Sequence, residues 1–277
     1  MSEELKLMCI LAHPDDESLG FGGILSRYAD EGVGTYLLTA TRGERGWLGP
    51  EEEYPGPQEL GRIRERELGA AAEVLGLREV NFLEYEDGRL DQAEPQEAVA
   101  RIVSHLRRVR PDVVATFGPD GVYGHPDHIA VSQFATAAVI AASDPAIQVN
   151  GDRPPHRVSK FYYRAVTEEG AAAYQAAFGE LAMEVDGQKR RLVSWQPWAI
   201  TTQVDTAAYI EQIWEAIACH RSQLPGYEAL RRLPEKHRHD LWATQSLYRA
   251  FSLVNGGRAA ERDLFAGLRA AGNGQGQ

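Results

Sequence analysis

"LKLMCILAHPDDESLGFGG" (5–23) runs from near-continuous apolarity into one histidine and three carboxylates, then into a cluster of glycines. An apolar run such as 5–12, unbroken rather than alternating, predicts a strand buried on both faces, the situation of a strand inside a parallel sheet. A helix must then carry the chain back, and "GGILSRYADEG" (22–32) sets Ile24, Leu25, Tyr28 and Ala29 on one face before stopping at glycine. "GTYLLTAT" (34–41) reads as the second strand.

The unit recurs as helix 58–76, strand 79–85, helix 95–109, strand 112–118 and helix 128–142. This alternation predicts an α/β chain with a mainly parallel β-sheet flanked by helices. Farther on the pattern is less regular: strand 159–166, strand 199–205, helix 207–224 and a last helix over roughly 239–254. "NGDRPPH" (150–156) reads as a loop. No composition shift marks a linker, so one domain is expected over 1–270, with a variable segment at about 140–200 and a flexible tail at 271–277.

The 277 residues are 43% hydrophobic and 25% charged, with a formal net charge of -11. That balance argues against nucleic acid or an anionic membrane as main partner, since both need clustered Lys and Arg. A small molecule is the expected partner. Cys9 and Cys219 each sit in an apolar periodic segment and are expected as buried, reduced thiols. With no basic start and no run of about 18 apolar residues, the chain reads as cytoplasmic without a membrane span. The helices show no obligate dimer seam and are compatible with a homo-oligomer.

Parallel sheets bind ligands at the carboxyl ends of their strands, which is where 13–23 emerges. "FGPDGVYGHPDHIAV" (117–131) leaves another strand end and carries His125, Asp127 and His128. His-Pro-Asp alone reads equally as turn and cap residues. Its recurrence at two strand ends points to a shared metal. A catalytic zinc takes three protein ligands and leaves a fourth position open, so His13, Asp16 and His128 form a candidate set. Asp15 is then the candidate general base. His125 would lie close by, its ring held in one tautomer by Asp127, as acid or oxyanion stabiliser. Glu17 has no assigned role beyond orienting a neighbour. "GFGG" lacks the G-x-G-x-x-G spacing of a phosphate cradle and is read as room for the backbone to approach the site. Arg64 sits in a helix of alternating charge and reads as a solvated ion-pair face. His220 reads as a helix C-terminal dipole partner or as a site residue.

"AHPDDESLGFGG" (12–23) and "GHPDHIAV" (124–131) resemble the two signatures of the LmbE-like, or PIG-L-type, zinc-dependent de-N-acetylases. "TRGE" (41–44), Arg64 with Glu67, "LEYEDGRL" (83–90) and "HRSQ" (220–223) extend the resemblance over about 225 residues. It implies a Rossmann-like fold, zinc on His13, Asp16 and His128, Asp15 as base, and His125 with Asp127 as above. It further implies that Tyr123 polarises the substrate carbonyl and that Arg64 and Asp87 contact the sugar. Removal of the N-acetyl group from an N-acetylglucosamine conjugate is the implied activity, with amide cleavage in larger thiol-sugar conjugates as the alternative on the same scaffold.

Two readings of another class stand beside it. His13, Asp15 and His128 also match the facial triad of non-haem iron oxygenases, with Fe2+ in place of Zn2+. A non-catalytic sugar- or nucleotide-binding module would share the sheet but leave the acids and paired histidines without a purpose.

Overall fold

The computed structural model describes residues 4–149, 153–257 and 259–269. The expected loop at 150–156 falls partly outside them, and the expected tail at 271–277 wholly so. Strands β1 (Lys6–Leu11), β2 (Gly34–Thr41), β3 (Glu79–Tyr85), β4 (Val113–Thr116), β5 (Lys160–Arg164), β8 (Thr202–Asp205) and β9 (Thr244–Ser252) form one sheet in the order β3-β2-β1-β4-β5-β9-β8. The first five are parallel, while β9 runs antiparallel to both β5 and β8. β6 (Ala182–Val185) and β7 (Gln188–Arg191) make a separate hairpin within the variable segment.

Continuous apolarity has the expected consequence: Leu7, Cys9, Ile10 and Leu11 of β1 are wholly buried at the middle of the sheet. The helices between parallel strands are α1 (Asp16–Asp30), α2 (Pro57–Leu75), α3 (Pro95–Val109), the short α4 (Gly121–Gly124) and α5 (Pro126–Ala141). Right-handed crossovers send α1 and α2 to one face and α3 and α5 to the other, because the strand order reverses direction at β1. α2 ends where Gly76 adopts φ 71, the left-handed cap that glycine tolerates best.

Helix α6 (Glu168–Phe178) precedes the hairpin, and α7 (Ile210–Cys219), α8 (Leu224–Arg231) and α9 (Glu235–Trp242) follow β8. Four expectations are corrected here. α1 begins at Asp16, not at Gly22, so the acids of the opening turn are the first residues of the helix. The helix expected over 207–224 stops at Cys219, because His220 leaves helical geometry and buries its ring. Residues 244–252 are a strand rather than the end of a helix. Gln245, Ser246 and Leu247 are buried one after another, which suits a strand inserted between two others and no single helix face. Cys9 is a buried free thiol, whereas Cys219 is only half-buried.

β9 also reaches into the first helix. Gln245 accepts a hydrogen bond from Ile24 N–H (2.7 Å) and donates one to Gly20 C=O (3.1 Å), the two groups that face each other across one helical turn. The glycines of α1 serve this packing. A Cβ on Gly23 would lie 2.6 Å from Thr206, and one on Gly22 would lie 3.3 Å from Ile213, so these two admit neighbouring elements while Gly20 lines a cavity.

Behind β5 and β8, Glu261 accepts hydrogen bonds from Lys160 (2.6 Å), Tyr162 (2.7 Å) and Thr202 (3.1 Å). Burial pushes its carboxyl up, but the bonds from Lys160, Asn255 and Tyr162 outweigh burial and bring it down to about 2. A depressed carboxylate contributes stability that is present above its ordinary value of 4.5 and lost as pH falls toward 2. The contribution is on the order of 3 kcal/mol. Thermal melts between pH 6 and pH 2 are expected to show a shallower acid-side loss for Glu261→Gln than for the wild type. Parallel curves would refute the assignment.

Candidate metal centre and active site

β1 ends at Leu11, and the chain turns through His13, Pro14 and Asp15 into α1. Asp15 adopts φ 106, a conformation that strains a non-glycine residue by on the order of 1–3 kcal/mol. Its surroundings hold it there: its N–H donates to Glu17 Oε2 (2.9 Å), and Glu17 in turn takes a bond from His220 Nε2 (2.8 Å). Both Glu17 and His220 are wholly buried. Asp16 Oδ2 accepts the His13 backbone N–H (2.7 Å), closing the turn.

His128 arrives from the first turn of α5, its ring stacked on Phe117 at 4.0 Å with the planes 2° apart. Its Nε2 lies 3.3 Å from His13 Nδ1 and 3.4 Å from Asp16 Oδ1, and His13 Nδ1 lies 3.6 Å from Asp16 Oδ2. A tetrahedral ion with bonds of about 2.0–2.1 Å separates its ligand atoms by about 3.3–3.4 Å. The two imidazoles and one carboxylate therefore fit such an ion with little movement. His13, His125 and Asp127 form a second cluster of possible donors. Its carboxylate is already engaged, since Asp127 accepts from His13 Nε2 (3.1 Å), Gly88 N–H (2.7 Å) and Leu90 N–H (3.1 Å).

The Asp127 carboxylate thus holds His13, while its backbone N–H, not its side chain, reaches His125. Asp87 stands beside it, 3.1 Å from the same His13 Nε2, with its other oxygen taking the Arg45 N–H. Two carboxylates on Nε2 fix a proton there and leave Nδ1 facing Asp16 and His128, where a bound cation would take the place of a second proton. Burial pushes the His13 imidazole down, but Asp127, Asp16 and Asp87 outweigh burial and hold it well above its ordinary value. His128 lacks such support, and burial takes it down to about 3.

Asp15 is held by one oxygen. Arg64 Nη2 (2.8 Å) and Tyr227 Oη (2.7 Å) both donate to Oδ2, and Oδ1 has no protein donor among the described residues. Burial lifts this carboxyl to about 6 against the pull of Arg64. Arg64 is 3% exposed and also binds Gly43 C=O (2.7 Å) and Pro14 C=O, so the solvated ion-pair reading of this residue is wrong.

His125 caps α5 by accepting the Asp127 backbone N–H at Nδ1 (3.2 Å). This bond puts the proton of the neutral ring on Nε2. Burial, reinforced by the charge on His13, keeps the ring neutral. Tyr123 follows Val122, a β-branched residue at φ 68, and its ring meets those of His125 and His128 edge-on at 5.8 and 5.7 Å. Burial keeps its hydroxyl protonated. All the sequence-nominated side chains except Asp127 line one cavity of about 650 Å³.

Sequence reasoning passed over Tyr227, and it named Glu17 and His220 separately without pairing them. Nothing in the local pattern singles out Tyr227. For His220 the signal was a histidine at a helix end, which the resemblance of "HRSQ" had marked without assigning a contact. The same turn is tied to α2, because Glu67 accepts both the N–H (2.8 Å) and the hydroxyl (2.7 Å) of Ser222.

Comparison with known proteins places the chain in a family. A model of the family described as "PIG-L: GlcNAc-PI de-N-acetylase" matches residues 8–139, the span holding both histidine motifs. A 1D-myo-inositol 2-acetamido-2-deoxy-alpha-D-glucopyranoside deacetylase of Kineococcus radiotolerans is 32% identical, covering 97% of this chain and 84% of the relative. The protein of the same name from Geodermatophilus obscurus is 35% identical, covering 97% and 99%. Among solved structures, a conserved protein of Thermus thermophilus superposes with a TM-score of 0.64 at 26% identity, over 91% of this chain and 97% of that one. With both histidine motifs, the α/β sheet and nearly full-length relatives in agreement, the chain belongs to the PIG-L family of GlcNAc de-N-acetylases.

Proposed function

We propose that this protein is a zinc-dependent hydrolase that releases acetate from the N-acetyl group of an N-acetylglucosamine conjugate, with the ion held by His13, Asp16 and His128. The observation that carries the proposal is the convergence of those three donors within 3.3–3.6 Å of one another, with Asp15 adjoining them on the same cavity. Two relatives named as deacetylases of a glucosaminyl inositol support the substrate class. When bound, the ion supplies a Lewis acid for the amide carbonyl and makes water nucleophilic near neutral pH. Asp15, anchored through Oδ2, offers Oδ1 to take the proton of the attacking water. His125 Nε2–H and the Tyr123 hydroxyl are donors for the oxyanion that develops on the carbonyl oxygen. The proton that Asp15 takes from the water is the one passed on to the departing amine, since the neutral His125 ring carries only the Nε2 proton that holds the oxyanion. Arg64, proposed from the family resemblance to contact the sugar, has most of its donors occupied by Asp15 and two backbone carbonyls, so its main part is to aim the base. Asp87 likewise serves His13.

The oxygenase reading needs Asp15 in the ligand set, yet Asp15 is drawn off by Arg64 and Tyr227 while Asp16 joins the histidines. Metal content and acetate release from a glucosaminyl inositol, with larger amide conjugates in parallel, test the proposal. One metal per chain with acetate release supports it; a folded, metal-loaded protein inert on every N-acetylglucosaminide sinks it. Tyr227→Phe removes one of the two donors on the base, a charge-assisted bond of about 1.5–3 kcal/mol, so kcat/KM is expected to fall roughly 10- to 100-fold. An unchanged value would remove Tyr227 from the site.

A further inference from the structure

Arg164 stands at the carboxyl end of β5, two strands away from His13, and lines the same cavity. Two strand spacings are about 10 Å, a length that a sugar ring with its substituent bridges. The residue is 8% exposed, and among the described residues no carboxylate lies within ion-pair distance of it. Its Nη1 donates to the carbonyls of Ala165 (3.1 Å) and Ser246 (3.3 Å), while Nε and Nη2 make no hydrogen bond to a described residue. The contrast with Arg64, equally buried but paired with Asp15 at 2.8 Å, is informative in a chain with 40 acids and 29 Lys and Arg. A buried guanidinium left without an anion is expensive. Tyr174, on α6 in the variable segment, lines the cavity alongside it, with no hydrogen bond from its hydroxyl to a described residue. Two unused donor groups therefore border the same cavity as the three metal-site donors, which Leu19, Val166 and Phe178 line as well.

We propose that Arg164, assisted by Tyr174, is an anion subsite, and that the group attached to the N-acetylglucosamine carries a carboxylate or a phosphate. A guanidinium recognises either one with two parallel N–H···O bonds, and a neutral polyol gains far less from it. The inference rests on the deacetylase reading and narrows it, since the relatives above are named for a neutral inositol glycoside.

The test compares matched glycosides of N-acetylglucosamine: a carboxymethyl glycoside, its methylamide, and a phosphoethyl glycoside with its neutral hydroxyethyl counterpart. In the wild type kcat/KM is expected to favour the charged member of each pair by roughly 10- to 100-fold. The pair with the larger ratio identifies the anion. Arg164→Gln is expected to shrink that ratio at least tenfold, acting mainly on KM, and Arg164→Lys to restore part of it. Equal rates on charged and neutral members in the wild type overturn the subsite while leaving the deacetylase reading intact. A preference that survives unchanged in a folded Arg164→Gln variant also overturns it, by placing anion recognition elsewhere. Should no glycoside release acetate, the deacetylase reading fails, and calorimetric binding of the same pairs decides the subsite: tighter binding of the charged member, lost in Arg164→Gln, supports it, and equal binding overturns it.

Discussion

Asp15→Asn is expected to lower turnover by roughly 10²- to 10⁴-fold while the protein keeps its metal. Asparagine keeps the shape of the side chain and can still accept from Arg64 and Tyr227 through its carbonyl oxygen. The group then facing the cavity is an amide, which takes no proton. The strained backbone at φ 106 is held by Glu17 and not by the Asp15 side chain, so the turn survives the change. Steady-state kinetics with metal analysis on the same samples provide the check. Near-full activity in a metal-loaded variant would remove Asp15 as base.

His128→Ala is expected to abolish activity by a different route, through loss of the metal itself. It deletes one of three donors and leaves a void beside Phe117 that water can enter. Asp127→Asn provides the graded comparison. It weakens one of the two carboxylates on His13 Nε2, and support of that kind is worth about 10- to 100-fold in metal affinity. Titration against a chelator of known affinity should rank wild type above Asp127→Asn, and Asp127→Asn above His128→Ala. If His128→Ala held metal as tightly as the wild type, the ligand set would be wrong.

The alternation of parallel strands with helices, and the two polar clusters at the strand ends, were legible because both follow from local pattern. An unbroken apolar run has to be central, and a polar cluster behind it has to emerge at the ligand-binding edge. What could not be read was anything that depends on a partner far along the chain. Arg64 looks like one member of a charged helix face until the turn bearing Asp15 and Gly43 closes over it. Asp127 reads as a neighbour of His125, yet its carboxylate turns to His13, 114 positions away. The strand at 244–252 was missed for the same reason: its identity comes from β5 and β8 on either side, not from its own periodicity.

The bridge that Gln245 makes to Gly20 and Ile24 bears on the order in which the protein matures during synthesis. A nascent chain that has emerged as far as α5 already holds His13, Asp16 and His128. It lacks His220, which steadies the strained turn through Glu17, Tyr227, which anchors the base, and Gln245, which clamps the helix that begins at Asp16. Asp87 and Asp127, which orient His13, precede His128, but the groups that steady the turn, anchor Asp15 and clamp the helix are translated about a hundred residues after the last ligand. The turn, the base and the helix have all their contacts only once β9 lies between β5 and β8.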